Sequence, residues 1–181
     1  MALKPTIYKL KIALSDLNRD YYDALSLTLA QHPSESLERM VTRILAYCID
    51  AQDYITFTKG LSAIEEPAVW VKSLDDQLLL WIDVGEPALD RVKKSSRLAQ
   101  ALHIYTFNSK SDVWWTQNSH KLSKLNASIF QFNWQDIQAV AKLIQRTMDW
   151  SITITGNALY IATDQGEHEL NWTVLQSVNK S

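Results

Sequence analysis

Acidic side chains are placed where they could bind a divalent cation. Asp83 ends a near-continuous run of apolar residues, which is typical of a strand that is covered on both faces. Glu65 and Glu66 lie upstream of that run. Glu35 and Glu38 lie in the first turn of a predicted helix. Because Mg²⁺ and Mn²⁺ prefer several oxygen ligands that converge on one point, these side chains predict a metal site centred on Asp83.

The same carboxylates also have structural explanations. The helix dipole would stabilise Glu35 and Glu38 in the first turn of their helix. Arg39 and Thr42 are their expected partners there. A carboxylate that ends a strand as apolar as the one before Asp83 either accepts hydrogen bonds from loop amides or has a function. Both interpretations stay open at this point.

The helix predicted after Asp83 carries four cationic side chains: Arg91, Lys93, Lys94 and Arg97. Lys93 and Arg97 are four residues apart and flank the apolar stripe, so they could lean toward the end of the preceding strand. In a functional interpretation these cations contact the phosphate oxygens of a nucleic acid or stabilise a transition-state charge. The alternative is a solvated helix face, which runs of charge usually form.

A strand, helix and strand position these acids and cations. The apolar run up to Ile82 predicts the first strand, and Pro87 suits the first turn of a helix. A second apolar strand is predicted from Leu102 to Phe107. At these lengths the pattern predicts a parallel β-α-β unit. Ligands of such sheets bind at the carboxyl ends of the strands, where Asp83 lies.

Periodicity predicts the remaining elements. Ser34 is the predicted N-cap of the first helix, which is amphipathic, and Asn133 caps the last, whose apolar stripe runs to Met148. A two-residue turn is predicted at Gly156-Asn157, and a longer one at Asp164 to Glu167. Strands are predicted over residues 6–14, 25–29, 54–58, 128–132, 150–155, 158–163 and 168–174, and helices over residues 34–51, 112–125 and 133–148.

Length and composition indicate one globular domain. The chain has 181 residues, of which 46% are hydrophobic and 21% charged, and this is enough for one domain with a core. Its formal net charge of −2 gives no global attraction to nucleic acid, so a basic binding surface must be local. The single cysteine, Cys48, suits a reducing cytoplasm and a core position. We expect neither a signal peptide nor a membrane-spanning segment.

Short motifs along the whole chain resemble those of the YaeQ family of bacterial proteins. Together they are highly specific for that family. The resemblance implies a core like that of the restriction-endonuclease, PD-(D/E)XK nuclease superfamily, in which a helix, three strands, a helix and a strand follow one another. The motifs are Met1-Ala2-Leu3-Lys4, Leu27-Thr28-Leu29-Ala30, His32-Pro33-Ser34-Glu35, Glu38-Arg39-Met40, Phe57-Thr58-Lys59-Gly60-Leu61, Glu66-Pro67, Leu80-Trp81-Ile82-Asp83, Tyr105-Thr106, Asn108-Ser109, Trp114-Trp115 and Arg146-Thr147-Met148.

The resemblance also implies roles for the acidic residues. In that superfamily a Glu of the first helix, the Asp of the PD motif and an acid of the central strand bind Mg²⁺. Carried over to this sequence, Glu38 or Glu35 takes the helix position, and Asp83 takes the strand position. Pro67-Ala68 takes the PD position, so the acid expected there is absent.

Two departures from the superfamily pattern make the implied active site degenerate. Glu65 or Glu66 would have to stand in for the acid that is missing from the PD position. Gly85 stands where a lysine assists the attacking water. Related nucleases supply this lysine from the following helix, where Lys94 and Lys93 are the candidates: the family pattern favours Lys94 and helical spacing favours Lys93.

We therefore expect a single α/β domain over residues 1–181, with a mixed, mostly antiparallel sheet flanked by helices. Its restriction-endonuclease-like core would span about residues 34–107, with extra strands at both ends and a three-strand meander at about 150–174. The first functional hypothesis is a Mg²⁺-dependent or Mn²⁺-dependent phosphodiesterase that acts on nucleic acid. The alternative is a catalytically inactive protein that keeps the fold and binds a nucleic acid or a protein partner.

Overall fold

Ten strands form one sheet in the computed structural model, which describes residues 4–178. The motif residues Met1 to Leu3 lie outside this range. The strands are β1 (Thr6–Asp16), β2 (Tyr21–Gln31), β3 (Ile55–Phe57), β4 (Val69–Lys72), β5 (Leu78–Val84), β6 (Ala101–Thr106), β7 (Ser128–Phe132), β8 (Thr147–Thr155), β9 (Ala158–Thr163) and β10 (Gly166–Gln176). The α-helices within the described range are α1 (Leu37–Ile49), α2 (Leu89–Leu98), α3 (Ser111–Leu122) and α4 (Trp134–Ala141).

The sheet is mixed and mostly antiparallel, as predicted. Its strand order is β2-β1-β8-β9-β10-β7-β6-β5-β4-β3, with parallel pairs at β1/β8, β5/β6 and β6/β7 and antiparallel pairs elsewhere. The β5-α2-β6 unit confirms the predicted β-α-β crossover, and Asp83 lies opposite Ile104 in its register. Over residues 34–107 the α-helices and strands follow in the order α1, β3, β4, β5, α2, β6.

Helix α1 lies inside the curve of the sheet. The helix has the predicted amphipathic pattern, but all residues from Met40 to Cys48 are buried, so its middle is covered on every side, including the polar residues Thr42 and Arg43. The main core contains Leu29 of β2 and Ile55 of β3, which belong to the two edge strands, together with the buried side chains of α1. The sheet therefore wraps around α1 and nearly closes on itself, because apolar side chains of both edge strands are buried against this helix.

Helices α2 and α3 cover the outer face of the same sheet. A second apolar cluster joins Trp81 of β5, Ile104 of β6 and Val92 of α2. Neighbouring strand residues, such as Ile82 and Tyr105, belong instead to the main core around α1. Since side chains alternate between the faces of a strand, Asp83 lies on the α2 side. The continuous apolar run of β5 thus reflects burial on both faces, as expected.

The first helix begins later than predicted. Its N-cap is Ser36, whose side chain accepts a hydrogen bond from the Arg39 backbone N–H, and Leu37 is the first helical residue. Ser34 and Ser36 are equally suitable caps by residue type, and the sequence pattern did not separate them. Glu35 therefore precedes the helix, and its predicted position in the first turn was wrong. Glu38 does lie in the first turn.

The C-terminal part of the chain confirms the last helix and the meander with two corrections. Asn133 caps α4 by accepting hydrogen bonds from two backbone N–H groups, but the helix ends at Ala141. Met148 is buried on β8 and does not belong to the helix. It follows Ile144 by four residues, and this spacing fits one face of a helix as well as one face of a strand. The β9–β10 connection is the two-residue turn Asp164-Gln165, which is shorter than predicted. Within residues 4–178, no helix has the length and apolar character needed to cross a membrane.

Candidate functional site

Both carboxylate oxygens of Asp83 are bound by the guanidinium group of Arg91. The Arg91 Nε–H donates to Oδ2 at 3.1 Å, and an Nη2–H donates to Oδ1 at 3.0 Å. Gly85, which has a φ of +104°, follows the strand and allows the chain to turn toward α2, whose first turn carries Arg91. The pair is bidentate and charge-assisted, which is the strongest common form of this contact. The negative charge of Asp83 is therefore neutralised by its own β-α-β unit.

Arg91 also ties a loop to this unit. Its Nη1 donates to the Ile64 carbonyl oxygen at 2.6 Å, and its Nη2 donates to the Glu66 carbonyl oxygen at 2.9 Å. These contacts and the two with Asp83 use four of the five N–H groups of the guanidinium. Arg91 was predicted from the sequence as a nucleic-acid contact, and its position here is that of a structural partner of Asp83.

A cavity of about 250 Å³ lies beside the ion pair. It brings together two of the predicted ligands, Asp83 and Glu66, with Arg39 of α1, Glu86 and Arg91. The Glu66 carboxylate accepts a hydrogen bond at 3.1 Å from the backbone N–H of Lys59. Burial raises the pKa of the Glu86 carboxyl, although its hydrogen bonds counteract this shift. The cavity is therefore a mixed pocket of acids and arginines.

Glu35 does not line this cavity but belongs to a buried ion-pair cluster that includes Arg39 of the cavity wall. Its carboxylate accepts from Arg43 Nη2 at 2.6 Å and from Arg43 Nε at 2.9 Å, and it also pairs with Arg39. Glu35 thus has Arg39 as a partner, as its structural interpretation expected. The Thr42 hydroxyl donates to the backbone carbonyl of Glu38 at 2.9 Å, so it does not pair with a carboxylate.

Arg43 connects the two edge strands of the sheet. Another of its Nη2 hydrogens donates to the Ala30 carbonyl of β2 at 3.1 Å, and its guanidinium lies 5.6 Å from the ring centroid of Phe57 on β3. The side chains of Glu35 and Arg43 are only 2% and 3% exposed. Burial lowers the pKa of Arg43, and the charge of Glu35 counteracts this. Glu35 therefore stabilises the closure of the sheet.

The remaining predicted site residues are not brought to the cavity of Asp83. Glu65 and Lys94 line a neighbouring cavity of about 540 Å³ beside Trp81, which shares Ile64 and Arg91 with the cavity of Asp83. Lys93 is exposed on α2. Ala68 is buried beside β5, where its backbone N–H donates to the Ile82 carbonyl at 3.0 Å.

A metal ion does not fit the donors as they are arranged. Within residues 4–178, no three His, Cys, Asp or Glu side chains are grouped closely enough to hold one. Both oxygens of Asp83 are occupied by a cation, and Glu35 is occupied by two. Because Mg²⁺ and Mn²⁺ need several free oxygen ligands at one point, these carboxylates would have to be released before they could bind an ion.

A free basic surface is present on the outer side of α2. Lys93, Lys94 and Arg97 are exposed, and none of their side chains has a hydrogen-bond or ion-pair partner among residues 4–178. Trp114 donates its indole N–H to the Pro87 carbonyl at 2.9 Å and packs against the second cluster. The positive charge of this surface therefore comes from the three cationic side chains of α2.

Sequence reasoning missed a polar cluster on the other face of the sheet. The structure joins Asp50, at the end of α1, to His103 and Tyr105 of β6. In the sequence Asp50 is more than fifty positions away from His103 and Tyr105, and His103 has no metal-ligand spacing. The one available signal was an acid at a helix C-terminus, which the helix dipole disfavours.

Comparisons with known proteins agree on one family. The family model described as "YaeQ protein" matches residues 1–172. Curated relatives from Escherichia coli (strain K12) and Salmonella typhi, each described as "Uncharacterized protein YaeQ", are 36% and 34% identical over 178 residues, which cover 97% of this chain and 98% of each relative. The crystal structure of the YaeQ protein from Xanthomonas axonopodis pv. citri matches with a TM-score of 0.93 and 31% sequence identity, over 96% of this chain and 99% of that one. The crystal structure of the YaeQ protein from Pseudomonas syringae matches with a TM-score of 0.92 and 34% sequence identity, over 96% of this chain and 97% of that one. The chain therefore belongs to the YaeQ family.

Proposed function

We propose that the chain is a restriction-endonuclease-like protein that binds nucleic acid through the outer face of α2 and does not cleave it at Asp83. The observation that carries this proposal is the bidentate Asp83–Arg91 ion pair. A carboxylate that is neutralised in this way does not serve as a metal ligand. The proposed core comprises α1, β3 to β5, α2 and β6, whose order is that of the superfamily.

The position of Ala68 supports a retired active site. This residue takes the place of the superfamily's PD aspartate, and its backbone hydrogen bond to Ile82 places it beside the strand of Asp83. Ala68 is only 2% exposed. An acid at such a position needs a cation as its partner, because an unpaired buried carboxylate is costly. With alanine there, Arg91 alone balances the charge of Asp83.

Binding would depend on the unpaired cations Lys93, Lys94 and Arg97. They lie three and four residues apart on α2, so they share one side of the helix. Cations that contact phosphates release counterions from the nucleic acid, which supplies affinity without sequence preference. The formal net charge of −2 means that this attraction is local and should weaken steeply with salt.

Fluorescence anisotropy in EDTA tests this proposal. The probes are fluorescein-labelled single-stranded and duplex DNA and RNA, titrated at several salt concentrations. In the triple variant Lys93→Ala, Lys94→Ala, Arg97→Ala, the salt slope should fall by roughly 0.7–0.9 for each lost phosphate contact. A control variant with the same charge change on other elements is Lys9→Ala, Lys11→Ala, Lys142→Ala. Equal loss in both triple variants, or no binding by the wild type, would refute the α2 interface.

A metal-dependent phosphodiesterase is the second candidate, and one observation favours it. Asp83 and Glu66 line the same cavity, so two carboxylates would be available if Arg91 moved away. Calorimetric titration with Mn²⁺ distinguishes the candidates. Our proposal predicts no specific binding by the wild type. Specific binding that disappears in Asp83→Ala would instead favour the enzyme, and binding that appears only in Arg91→Gln would identify Arg91 as the blocking group.

A further inference from the structure

Asp50 lies where a negative charge is disfavoured, and its carboxylate accepts hydrogen bonds from two side chains. It caps the C-terminus of α1, where the helix dipole opposes a negative charge, and it is only 9% exposed. Its Oδ2 atom accepts from His103 Nδ1 at 2.9 Å and from Tyr105 Oη at 2.9 Å. An isolated carboxylate would not be stable here, so these two donors hold its charge.

The cluster is rigid on its buried side. Tyr105 is fully buried and stacks on Phe130 and Phe132, with ring centroids 5.0 and 5.8 Å apart. Burial, and then the charge of Asp50, raises the pKa of Tyr105 well above its ordinary value, so the hydroxyl stays protonated and donates. The carboxylate is thereby fixed in front of the imidazole. Since a carboxylate only accepts, His103 carries its proton on Nδ1.

The other imidazole nitrogen, Nε2, has no hydrogen-bond partner among residues 4–178. The His103 side chain is 25% exposed, and Asp50 occupies its Nδ1 atom. The ring lines a cavity of about 570 Å³, whose other walls include Gln100, Leu102, Asn126, Ser128 and Phe130. This arrangement leaves a hydrogen-bond acceptor of fixed orientation in a pocket.

The lining of this cavity selects the class of ligand. Apart from the imidazole, the lining residues within the described range are uncharged, which disfavours an ionic ligand. Carboxamides at Gln100 and Asn126 could pair with donor and acceptor groups in one plane, and Phe130 offers an aromatic surface. Uncharged, planar molecules with N–H groups fit these features, and unstacked nucleobases are recognised in this manner.

Part of the cavity wall comes from residues that directly follow the end of α2. Gln100 follows Arg97 by three residues, just after the end of the helix. Asn126 lies in the connection from α3 to β7, near Lys124. A nucleic-acid strand whose phosphates contact the α2 cations would have to pass around this end of the sheet to place a base beside His103, which lies on the α1 side. Asp83 lies on the opposite face of the sheet, so the two sites are separate.

We propose that Asp50, Tyr105 and His103 form a binding site for an unpaired nucleobase, which donates an N–H to His103 Nε2 and packs near Phe130. His103 is the ligand contact, while Asp50 and Tyr105 are positioning residues. The site itself stands independently of the α2 interface. Only its use by a nucleic-acid strand rests on the proposed function.

Long-range ¹H–¹⁵N correlation of the imidazole resonances tests the site directly. The free wild type should show His103 protonated at Nδ1 and unprotonated at Nε2. Adenosine, guanosine, cytidine and uridine are then titrated to millimolar concentration, and at least one should shift the His103 Nε2 resonance. His103→Ala should weaken that nucleoside's binding about tenfold, as expected for one well-placed hydrogen bond. Asp50→Asn keeps the side-chain shape but removes the acceptor-only carboxylate, so the Nε2-protonated tautomer should appear, with weaker binding.

His168→Ala is the matched control. This histidine also pairs with an acid, at 3.3 Å from Asp136, but it uses Nε2 for that contact. The control should bind nucleosides like the wild type. A His103 protonated at Nε2, resonances that none of the four nucleosides shifts, or binding that survives His103→Ala would each overturn the inference. If nucleosides bind but oligonucleotides do not, only the α2 interface fails; if oligonucleotides bind but nucleosides do not, only this site fails.

Discussion

Replacing Arg91 by methionine should destabilise the fold by about 3 kcal/mol. The substitution keeps much of the side-chain length but removes the cation that holds both oxygens of Asp83. It also removes the donors to the carbonyls of Ile64 and Glu66. Asp83 would then be a buried carboxylate without a partner, and the loop before β4 would lose its attachment to α2.

The magnitude follows from the burial of the two partners. Removing one member of a buried ion pair costs about 3–5 kcal/mol, because the other charge is left uncompensated. The side chain of Asp83 is 6% exposed, whereas that of Arg91 is 33% exposed and already partly solvated. The expected cost is therefore at the lower end of that range. The exposed Ile64 carbonyl can hydrogen-bond to water and should add little.

Urea unfolding followed by tryptophan fluorescence measures this cost. Arg97→Met is the matched control, because Arg97 lies on the same helix, is exposed and has no partner among the described residues. Its effect should stay within about 0.5 kcal/mol. A double-mutant cycle with Asp83→Asn should give a coupling energy of about 2 kcal/mol.

Two results would refute this reasoning. If Arg91→Met and Arg97→Met changed the free energy of unfolding equally, the ion pair would not stabilise the fold. If the cycle with Asp83→Asn were additive, the two side chains would not interact in solution. Either result would leave Asp83 free and would strengthen the case for a metal site.

Three further predictions follow from other buried groups. Burial raises the pKa of the Cys48 thiol to about 12, so a thiol reagent should label it only as fast as the protein unfolds; rapid labelling of folded protein would contradict its core position. Glu86 has a folded pKa above its ordinary value of 4.5, so its contribution to stability is present below that value and is lost as the pH rises through the raised pKa. Glu86→Gln should flatten this part of the stability-pH curve measured by urea unfolding, and an unchanged curve would argue against a buried carboxyl. Glu35→Ala should lower the free energy of unfolding by about 3–5 kcal/mol, because Arg43 is left buried and unpaired. Glu38→Ala, in the first turn of α1, should lower it by about 1 kcal/mol or less in the same assay. Similar losses in the two variants would mean that the Glu35–Arg43 pair does not stabilise the fold.

Local sequence patterns correctly predicted those helices and strands that pack against segments close to them in the sequence. The β5-α2-β6 unit followed from an apolar run, a proline and a second apolar run. The Asn133 cap and the C-terminal hairpins followed from residue preferences that act over a few positions. Errors occurred where two local solutions were nearly equal, as with Ser34 and Ser36. Met148 was misplaced because its spacing suited both a helix and a strand.

Contacts between distant segments were not predictable in this way. The sequence identified Asp83 as important and Arg91 as basic, but it did not show that the turn at Gly85 brings them together. The buried environment of α1 depends on a sheet that closes around it, so its helical period alone suggested an exposed face. Asp50 and His103 are 53 positions apart in the sequence and meet because the C-terminal end of α1 reaches β6.

A cleavage assay tests whether Asp83 belongs to a working nuclease site. Wild-type protein and Asp83→Ala are incubated with Mn²⁺ or Mg²⁺ and with fluorescein-labelled single-stranded and duplex DNA and RNA, and the products are separated on denaturing gels. Because Arg91 occupies Asp83, the account predicts that all of these substrates remain intact with both proteins. Metal-dependent cleavage by the wild type that is lost in Asp83→Ala would contradict the account and identify Asp83 as part of a working nuclease site.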